Sequence, residues 1–367
     1  MNTAFDQISH LIRPHFLKMQ GYVSAGMLAG KDETRIFLNA NENPFSLPGL
    51  EGCNRYPEPQ PANLLKAMAG LYDVRQDQIT ITRGADEAIK LVTQIAVEPF
   101  TEDILITPPT FGIYKVDADA MPARKVVEVP LLKKQGTFFL NSQGIKNALD
   151  APSNRIKLIY LTSPNNPTGN NLSYDDLTDV IQYAAGKAFV IMDETYAEFT
   201  DQPSFTQTIT EHPHLIILRT LSKSYSMAGM RIGCVISGVP ELTTIIRTKV
   251  METYPIPRGS SEAALKIFEP GVLDIARQNI KKLITERERM VKALNIQNGI
   301  RHIYPSDANF LLVEMERAHD FYNFALSRNV IMRDISNAKG TENCIRLTLG
   351  TPSENDLVLA LLKEFYG

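Results

Sequence analysis

The sequence predicts an α/β fold, a mainly parallel sheet covered by helices on both faces, followed by a smaller α+β domain. Its strand-like runs are short and almost continuously apolar, as strands buried on both faces must be. They alternate with amphipathic helical patterns, the mark of crossover connections between parallel strands. After Pro255 that alternation stops, and a long charged helical stretch leads into elements of a different order. A chain of 367 residues has room for two such bodies.

The strands are read, in order, at QITIT (78–82), DILIT (103–107), KVVEV (125–129), KLIYL (157–161), FVIMD (189–193), LIILRT (215–220) and IGCVIS (232–237). Helical patterns such as ADEAIKLVTQIAV (85–97) and YDDLTDVIQYAA (174–185) lie between them. Beyond Pro255, residues 261–294 read as helix with a break at Glu269-Pro270-Gly271, because proline and glycine interrupt the pattern. NFLLVEM, HDFYNFALSR, VIMRDI, CIRLTLG and a terminal helix SENDLVLALLKEF follow. Residues 1–35 read as an N-terminal arm with one short helix, too poor in core residues to fold alone. The expected division is an arm over 1–35, a large domain over 36–255 and a small C-terminal domain over 256–367.

Composition narrows the function. There are 38 basic and 41 acidic residues, a net charge of -3, and no run of five like charges, which argues against nucleic acid or an anionic membrane as partner. Cys53, Cys234 and Cys344 lie far apart without a C-x-x-C pair, so free thiols in a reducing cytoplasm are expected. The first twenty residues carry no apolar signal core, and no stretch is long enough to span a bilayer. The six histidines form no H-E-x-x-H pattern, and no metal site is expected.

In an open α/β sheet, ligands bind beyond the carboxyl ends of the strands, so polar residues that follow apolar runs matter most. In ITRGADEAI (81–89) a strand ends, Gly84 permits a tight turn and a helix begins. Its free amides suit a phosphate, although Asp86 alone can simply cap the helix. LTSPNNPTGN (161–170) is an ordinary turn or a rigid loop presenting the Asn166 amide to a ligand. FVIMDETY (189–196) puts carboxylates at a buried strand end, where each needs a cation or a donor; a protonated heterocyclic nitrogen is one such partner. In RTLSKSYSMAGMRIG (219–233), Lys223 sits among hydroxyls, with Arg231 following. It is either a solvated lysine or an amine that forms a Schiff base with a carbonyl cofactor whose phosphate the hydroxyls and Arg231 hold.

Taken together, these segments resemble the class I and II aminotransferase family of fold type I pyridoxal-phosphate enzymes. The resemblance runs from Tyr22 to Thr351 through LNANENPF (38–45), RYPEPQ (55–60), TRGADEAI (82–89), PPTFGIY (108–114) and SPNNPTG (163–169). It continues through MDETYAEF (192–199), TLSKSYSMAGMRIG (220–233), IMRD (331–334) and CIRLTLGT (344–351), all in the family's order. It implies pyridoxal 5'-phosphate as cofactor, Lys223 as the lysine that carries it and moves protons, and Asp193 as the partner of its ring nitrogen. Asn166 and Tyr196 are implied at the phenolic oxygen, and Tyr114 stacked on the ring. The amides of Ala85 and Asp86, with Thr220, Ser222 and Arg231, are implied at the phosphate.

The same resemblance implies a cytoplasmic homodimer in which Tyr56 reaches the neighbouring subunit's cofactor. Arg346, on the polar face of a core strand, would grip a carboxylate or phosphate together with Arg333 and Tyr22. The implied reaction is transamination between L-histidinol phosphate and 2-oxoglutarate; an aromatic amino acid as substrate, or decarboxylation of a threonine phosphate, are the alternatives. Thr195 and Ser224 stand where the family usually has alanine, and Arg258 and Gly259 replace hydrophobic or small residues ahead of a dimer-facing helix.

Overall fold

The computed structural model describes residues 3–21, 36 and 38–367. Near the start lies α1 (Pro14–Lys18), and α2 (Ala62–Leu71) opens the main body. Seven strands then form one sheet: β1 (Ile79–Thr82), β2 (Asp103–Ile106), β3 (Lys125–Glu128), β6 (Ile156–Thr162), β7 (Phe189–Asp193), β8 (Leu215–Thr220) and β9 (Gly233–Ser237). Between β3 and β6 lies a hairpin, β4 (Leu132–Lys134) and β5 (Thr137–Phe139). The helices α3 (Gly84–Ala96), α4 (Ile113–Ala120), α5 (Ser142–Asp150), α6 (Tyr174–Ala184) and α7 (Pro240–Ile245) connect or follow these strands.

The strand order is β1-β9-β8-β7-β6-β2-β3. β8, β7, β6, β2 and β3 pair in parallel, while β9 runs antiparallel to both β8 and β1. The reason lies in the link from β8 to β9, which contains one 3-10 turn, Ala228–Met230, and no crossover helix. Without such a helix the chain cannot return to the far end of the sheet, so β9 comes back alongside. That same link carries Lys223 and Arg231.

Burial on both faces follows the two-residue period of a strand. Ile159 and Leu161 of β6 join the core beneath α2 and α6, whereas Leu158 and Tyr160 join the core beneath α3, α4 and α7. Ile8, Leu11, Ile12 and Phe16 are buried in the second of these cores, so the N-terminal segment is held by apolar contact with the main body.

The charged stretch after Pro255 forms two helices, α8 (Arg258–Leu265) and α9 (Val272–Leu294), separated at Glu269-Pro270-Gly271, where Gly271 has φ +80°. A four-stranded antiparallel sheet follows, in the order β10-β11-β13-β12: β10 (Ile300–Ile303), β11 (Phe310–Met315), β12 (Arg333–Asp334) and β13 (Cys344–Thr348). With α10 (Ala318–Ser327) and α11 (Pro352–Tyr366) it encloses its own core, including Leu311, Val313, Phe321, Ile345 and Leu361. The run VIMRDI contributes only two residues of strand, because Val330 is taken up in the turn that ends α10.

Candidate active site

The carboxyl ends of β6, β7 and β8 and the start of α3 surround one cavity. Its lining contains ten of the sequence-derived residues: Ala85 and Asp86 from α3, Asn166 after β6, Asp193 and Tyr196 from the end of β7, Thr220, Ser222, Lys223 and Arg231 around the β8–β9 link, and Arg346 from β13. Phe111, Thr162, Thr195 and Ala228 complete it.

One end of the cavity is made of backbone and hydroxyls. Gly84 has φ +76°, and a Cβ built on it would stand 2.7 Å from an Arg231 guanidinium nitrogen. A Cβ on Gly233 would lie 2.7 Å from the Gly84 carbonyl carbon and 2.9 Å from the Ala85 nitrogen. Both positions therefore need glycine for β9 and the first turn of α3 to meet. The Thr220 hydroxyl donates to the Ile232 carbonyl at 3.0 Å and accepts from the Ser222 amide at 3.2 Å, which tightens the turn before Lys223. Arg231, itself in the left-handed region at φ +56°, donates to Asp86 Oδ2 at 2.9 Å. Asp86 thus pairs with an arginine and makes no side-chain cap on α3. Free first-turn amides, two hydroxyls and a guanidinium form a donor set suited to a phosphate.

At the centre, Asp193 is 3% exposed. Its Oδ1 accepts from the Thr195 amide at 3.0 Å and the Thr195 hydroxyl at 2.6 Å, and its Oδ2 accepts from the Tyr114 hydroxyl at 2.6 Å. Burial raises its pKa, while those donors from Thr195 and Tyr114 oppose the rise. Lys223 opens to solvent through the mouth of the cavity, and its amine pKa is lowered, first by burial and next by the Arg346 guanidinium. Burial pushes the Tyr196 phenol up to about 12, so it remains a proton donor at neutral pH.

Tyr114 does not stack over the cavity. Its ring is 1% exposed and lies flat on Tyr160 at 4.4 Å, so the hydroxyl reaches Asp193 from behind. Phe111, three residues earlier and ahead of α4, faces the cavity instead. Both aromatics lie in PPTFGIY, and nothing in their spacing distinguishes the two.

The far wall is cationic. Arg346 Nη1 donates to Asn166 Oδ1 at 2.5 Å, its guanidinium lies 5.4 Å from the Phe310 ring centre, and its buried Nε has no hydrogen-bond partner among the described residues. Arg333 is its cross-strand partner on β12, an exposed residue whose charge helps burial to lower the Arg346 pKa. Like charges set opposite each other in a sheet are destabilising unless an anion joins them. Arg333 is not part of the cavity lining.

Tyr56 is 58% exposed, stacked on Tyr254 at 4.5 Å and away from this chain's cavity. Arg258 also stands apart from it, paired with Glu262 at 2.6 Å and donating to the Gly52 carbonyl at 3.1 Å. Tyr22 lies outside the described residues. Sequence reasoning did not single out Arg219, whose buried guanidinium holds Glu194 at 2.7 Å and Glu198 at 2.6 Å. Glu198 also accepts from the Ser224 hydroxyl at 2.7 Å, which ties the MDETYAEF segment to the residue after Lys223. The signal for Arg219 was an arginine inside an otherwise apolar strand, LIILRT.

These features fit pyridoxal phosphate: a phosphate seat at a helix start, an amine of lowered basicity and, among the described residues, a buried carboxylate without a cation and an arginine with an unpartnered buried nitrogen. Among the described residues no group of three or more His, Cys, Asp or Glu is placed to hold a metal ion, and no helix is long and apolar enough to cross a membrane.

Comparison with known proteins agrees with this fit. The sequence profile of the family described as aminotransferase class I and II matches residues 39–362. The histidinol-phosphate aminotransferase of Xylella fastidiosa is 36% identical over 366 residues, which covers 99% of this chain and 98% of the relative. That of Haemophilus influenzae (strain PittEE) is 37% identical over 361 residues, covering 97% and 99%. Among solved structures, the histidinol-phosphate aminotransferase from Clostridium acetobutylicum has a TM-score of 0.75 at 24% identity, covering 85% of this chain and 90% of its own. The enzyme of that name from Sinorhizobium meliloti, in complex with pyridoxal-5'-phosphate, also has a TM-score of 0.75, at 20% identity with 85% and 84% covered. The chain belongs to the class I and II aminotransferase family and is a pyridoxal-phosphate-dependent aminotransferase.

Proposed function

We propose that the chain transfers the amino group of L-histidinol phosphate to 2-oxoglutarate, a step of histidine biosynthesis. The observation that carries this reading is the near-full-length similarity to relatives named histidinol-phosphate aminotransferase. The Arg346 guanidinium in the cavity, with Arg333 opposite it on β12, supports it, since a guanidinium fork binds either a phosphate or a carboxylate and so can serve both substrates in turn.

Bound pyridoxal phosphate supplies a carbonyl that takes the amino group and a ring that accepts electrons. The residues of the chain hold it and move protons. The amides of Ala85 and Asp86 with Thr220, Ser222 and Arg231 seat the phosphate. Asp193 keeps a proton on the ring nitrogen. Phe111 takes the ring-stacking place first assigned to Tyr114. With Asn166 Oδ1 occupied by Arg346, the amide Nδ2 is left to donate toward the phenolic oxygen, as the protonated Tyr196 does. The lowered pKa of Lys223 enlarges the fraction of neutral amine, which is the form that attacks a carbonyl and takes a proton.

The proposal includes a cytoplasmic homodimer with shared sites. Ile36, Leu38, Phe45, Leu47, Leu50 and Tyr56 are all exposed within one short stretch, a concentration of apolar surface that a second copy would cover. It also keeps the division into an arm (1–35), a large domain (36–255) and a small domain (256–367). Giving the loaded enzyme histidinol phosphate with 2-oxoglutarate, and threonine phosphate in a parallel reaction, tests the reading: glutamate should appear in the first and no carbon dioxide in the second. Carbon dioxide from threonine phosphate, with no glutamate from histidinol phosphate, would instead indicate a decarboxylase.

A further inference from the structure

We propose that Tyr114 and Thr195 are positioning residues for Asp193: each puts a hydroxyl proton on a different carboxylate oxygen, and together they keep it ionised for the cofactor's ring nitrogen. The inference rests on the cofactor site proposed above.

Asp193 is buried at the end of β7, and among the described residues it forms no ion pair. A buried carboxylate without a cation tends to take up a proton. Here two hydroxyls oppose that tendency, each at 2.6 Å and one on each oxygen. The Thr195 amide adds a third donor at 3.0 Å. Short hydrogen bonds to an ionised acceptor are the strong kind, and a dry setting strengthens them further.

Tyr114 is itself fixed. Its ring stacks on Tyr160 at an interplanar angle of 7°, and Phe111 meets its edge at 5.7 Å. The Tyr160 hydroxyl donates to the Ile89 carbonyl at 3.2 Å and lies 2.7 Å from the Thr93 hydroxyl. Thr162 Oγ1, 2.8 Å from the Tyr114 oxygen, can donate to it and leave the phenol proton directed at Asp193. A hydroxyl thus arrives from α4 on one side of the carboxylate and from the β7 end on the other. Thr195 supplies a donor that an alanine at this position would lack. The other ionisable groups around Asp193 are Asp86, Tyr160, Tyr196 and Lys223, and substitutions at 114 and 195 leave them in place.

The consequence concerns where one proton resides. With Asp193 ionised, the proton sits on the ring nitrogen, and the positive ring withdraws electrons from the nitrogen linking it to Lys223. With Asp193 neutral, the ring loses that charge and the linking nitrogen becomes more basic. The test is a pH titration of the visible band of the cofactor-loaded protein in wild type, Tyr114→Phe, Thr195→Ala, the double variant and Thr195→Ser. Losing a hydrogen bond to a charged group moves a titration by about one unit or more. The band midpoint should therefore rise by about one unit in Tyr114→Phe and by less in Thr195→Ala, which keeps the amide donor. It should rise most in the double variant and stay near wild type in Thr195→Ser.

A double variant that binds cofactor with an unmoved midpoint overturns the inference, and so does a fall in melting temperature with no change in midpoint. If Tyr114→Phe fails to fold, Thr195→Ala against Thr195→Ser decides the question alone. Wild-type protein that takes up no cofactor would overturn the underlying site reading instead.

Discussion

Arg346 gives the sharpest separation between a residue kept for stability and one kept for function. Its Nε is buried without a partner among the described residues, its cross-strand neighbour is another arginine, and burial lowers its pKa. Against these costs stand one hydrogen bond to Asn166 and the contact with Phe310. Replacing it by methionine keeps the apolar contact and removes a desolvated charge, an exchange that is often neutral or stabilising. The lost Asn166 bond, made by a charged group, costs about 1.5–3 kcal/mol. The melting temperature of Arg346→Met should then fall by no more than about 4 °C, or rise, since about 1 kcal/mol shifts a chain of this size by only about 1–2 °C. Activity should behave differently. Two charge-assisted hydrogen bonds to a substrate anion, at about 1.5–3 kcal/mol each, amount to about 3–6 kcal/mol, or roughly two to four powers of ten in kcat/KM. Steady-state kinetics beside thermal melts reads both quantities. A loss below tenfold, or an activity loss explained by unfolding, would refute the assignment of Arg346 to the substrate anion.

Lys223→Ala should abolish both the visible band and borohydride trapping of the cofactor while leaving the fold intact; a trapped adduct in that variant would move the chemistry to another amine. Gly233→Ala places a Cβ 2.7–2.9 Å from the backbone of Gly84, Ala85 and Arg219, and overpacking of that kind costs about 1–3 kcal/mol. Because the displaced atoms include the phosphate seat, cofactor affinity measured by titration should fall at least roughly tenfold, and an unchanged affinity would contradict the seat. Asp193→Asn concerns pH. Burial raises the folded carboxyl pKa, so folding favours the protonated form and stability is lost as pH rises through that pKa. In the cofactor-free protein the asparagine variant should therefore melt higher than wild type near neutral pH, and the advantage should disappear below pH ~4; no gain at neutral pH would refute the cost assigned to the ionised carboxylate.

Much of the fold was legible because strands buried on both faces leave continuous apolar runs, and FVIMD and LIILRT could hardly be anything else. Their direction was not legible: IGCVIS reads the same parallel or antiparallel, and only the missing crossover helix reverses β9. The β4–β5 hairpin escaped notice because its turn, Gln135-Gly136 with φ +50° and +73°, puts a glutamine where asparagine or aspartate would have signalled it.

In the site, the rule that ligands gather at strand ends brought Asn166, Asp193 and Lys223 to one cavity from three separate stretches, and the polar face of CIRLTLG added Arg346. The family resemblance set Tyr114 on the cofactor ring, whereas its position in the structure depends on Tyr160 arriving from β6, a contact made only by the folded chain. The strand-end rule was silent on Arg219, since the carboxylates it neutralises meet it only through the pairing of β7 with β8.

The choice of substrate is tested most directly by single-turnover reaction of the cofactor-loaded enzyme with histidinol phosphate, phenylalanine and tyrosine in parallel. The expected result is that histidinol phosphate discharges the visible band fastest, because only its phosphate gives Arg346 a dianion to hold. Faster discharge by phenylalanine or tyrosine would contradict the proposed substrate and leave the aminotransferase assignment standing.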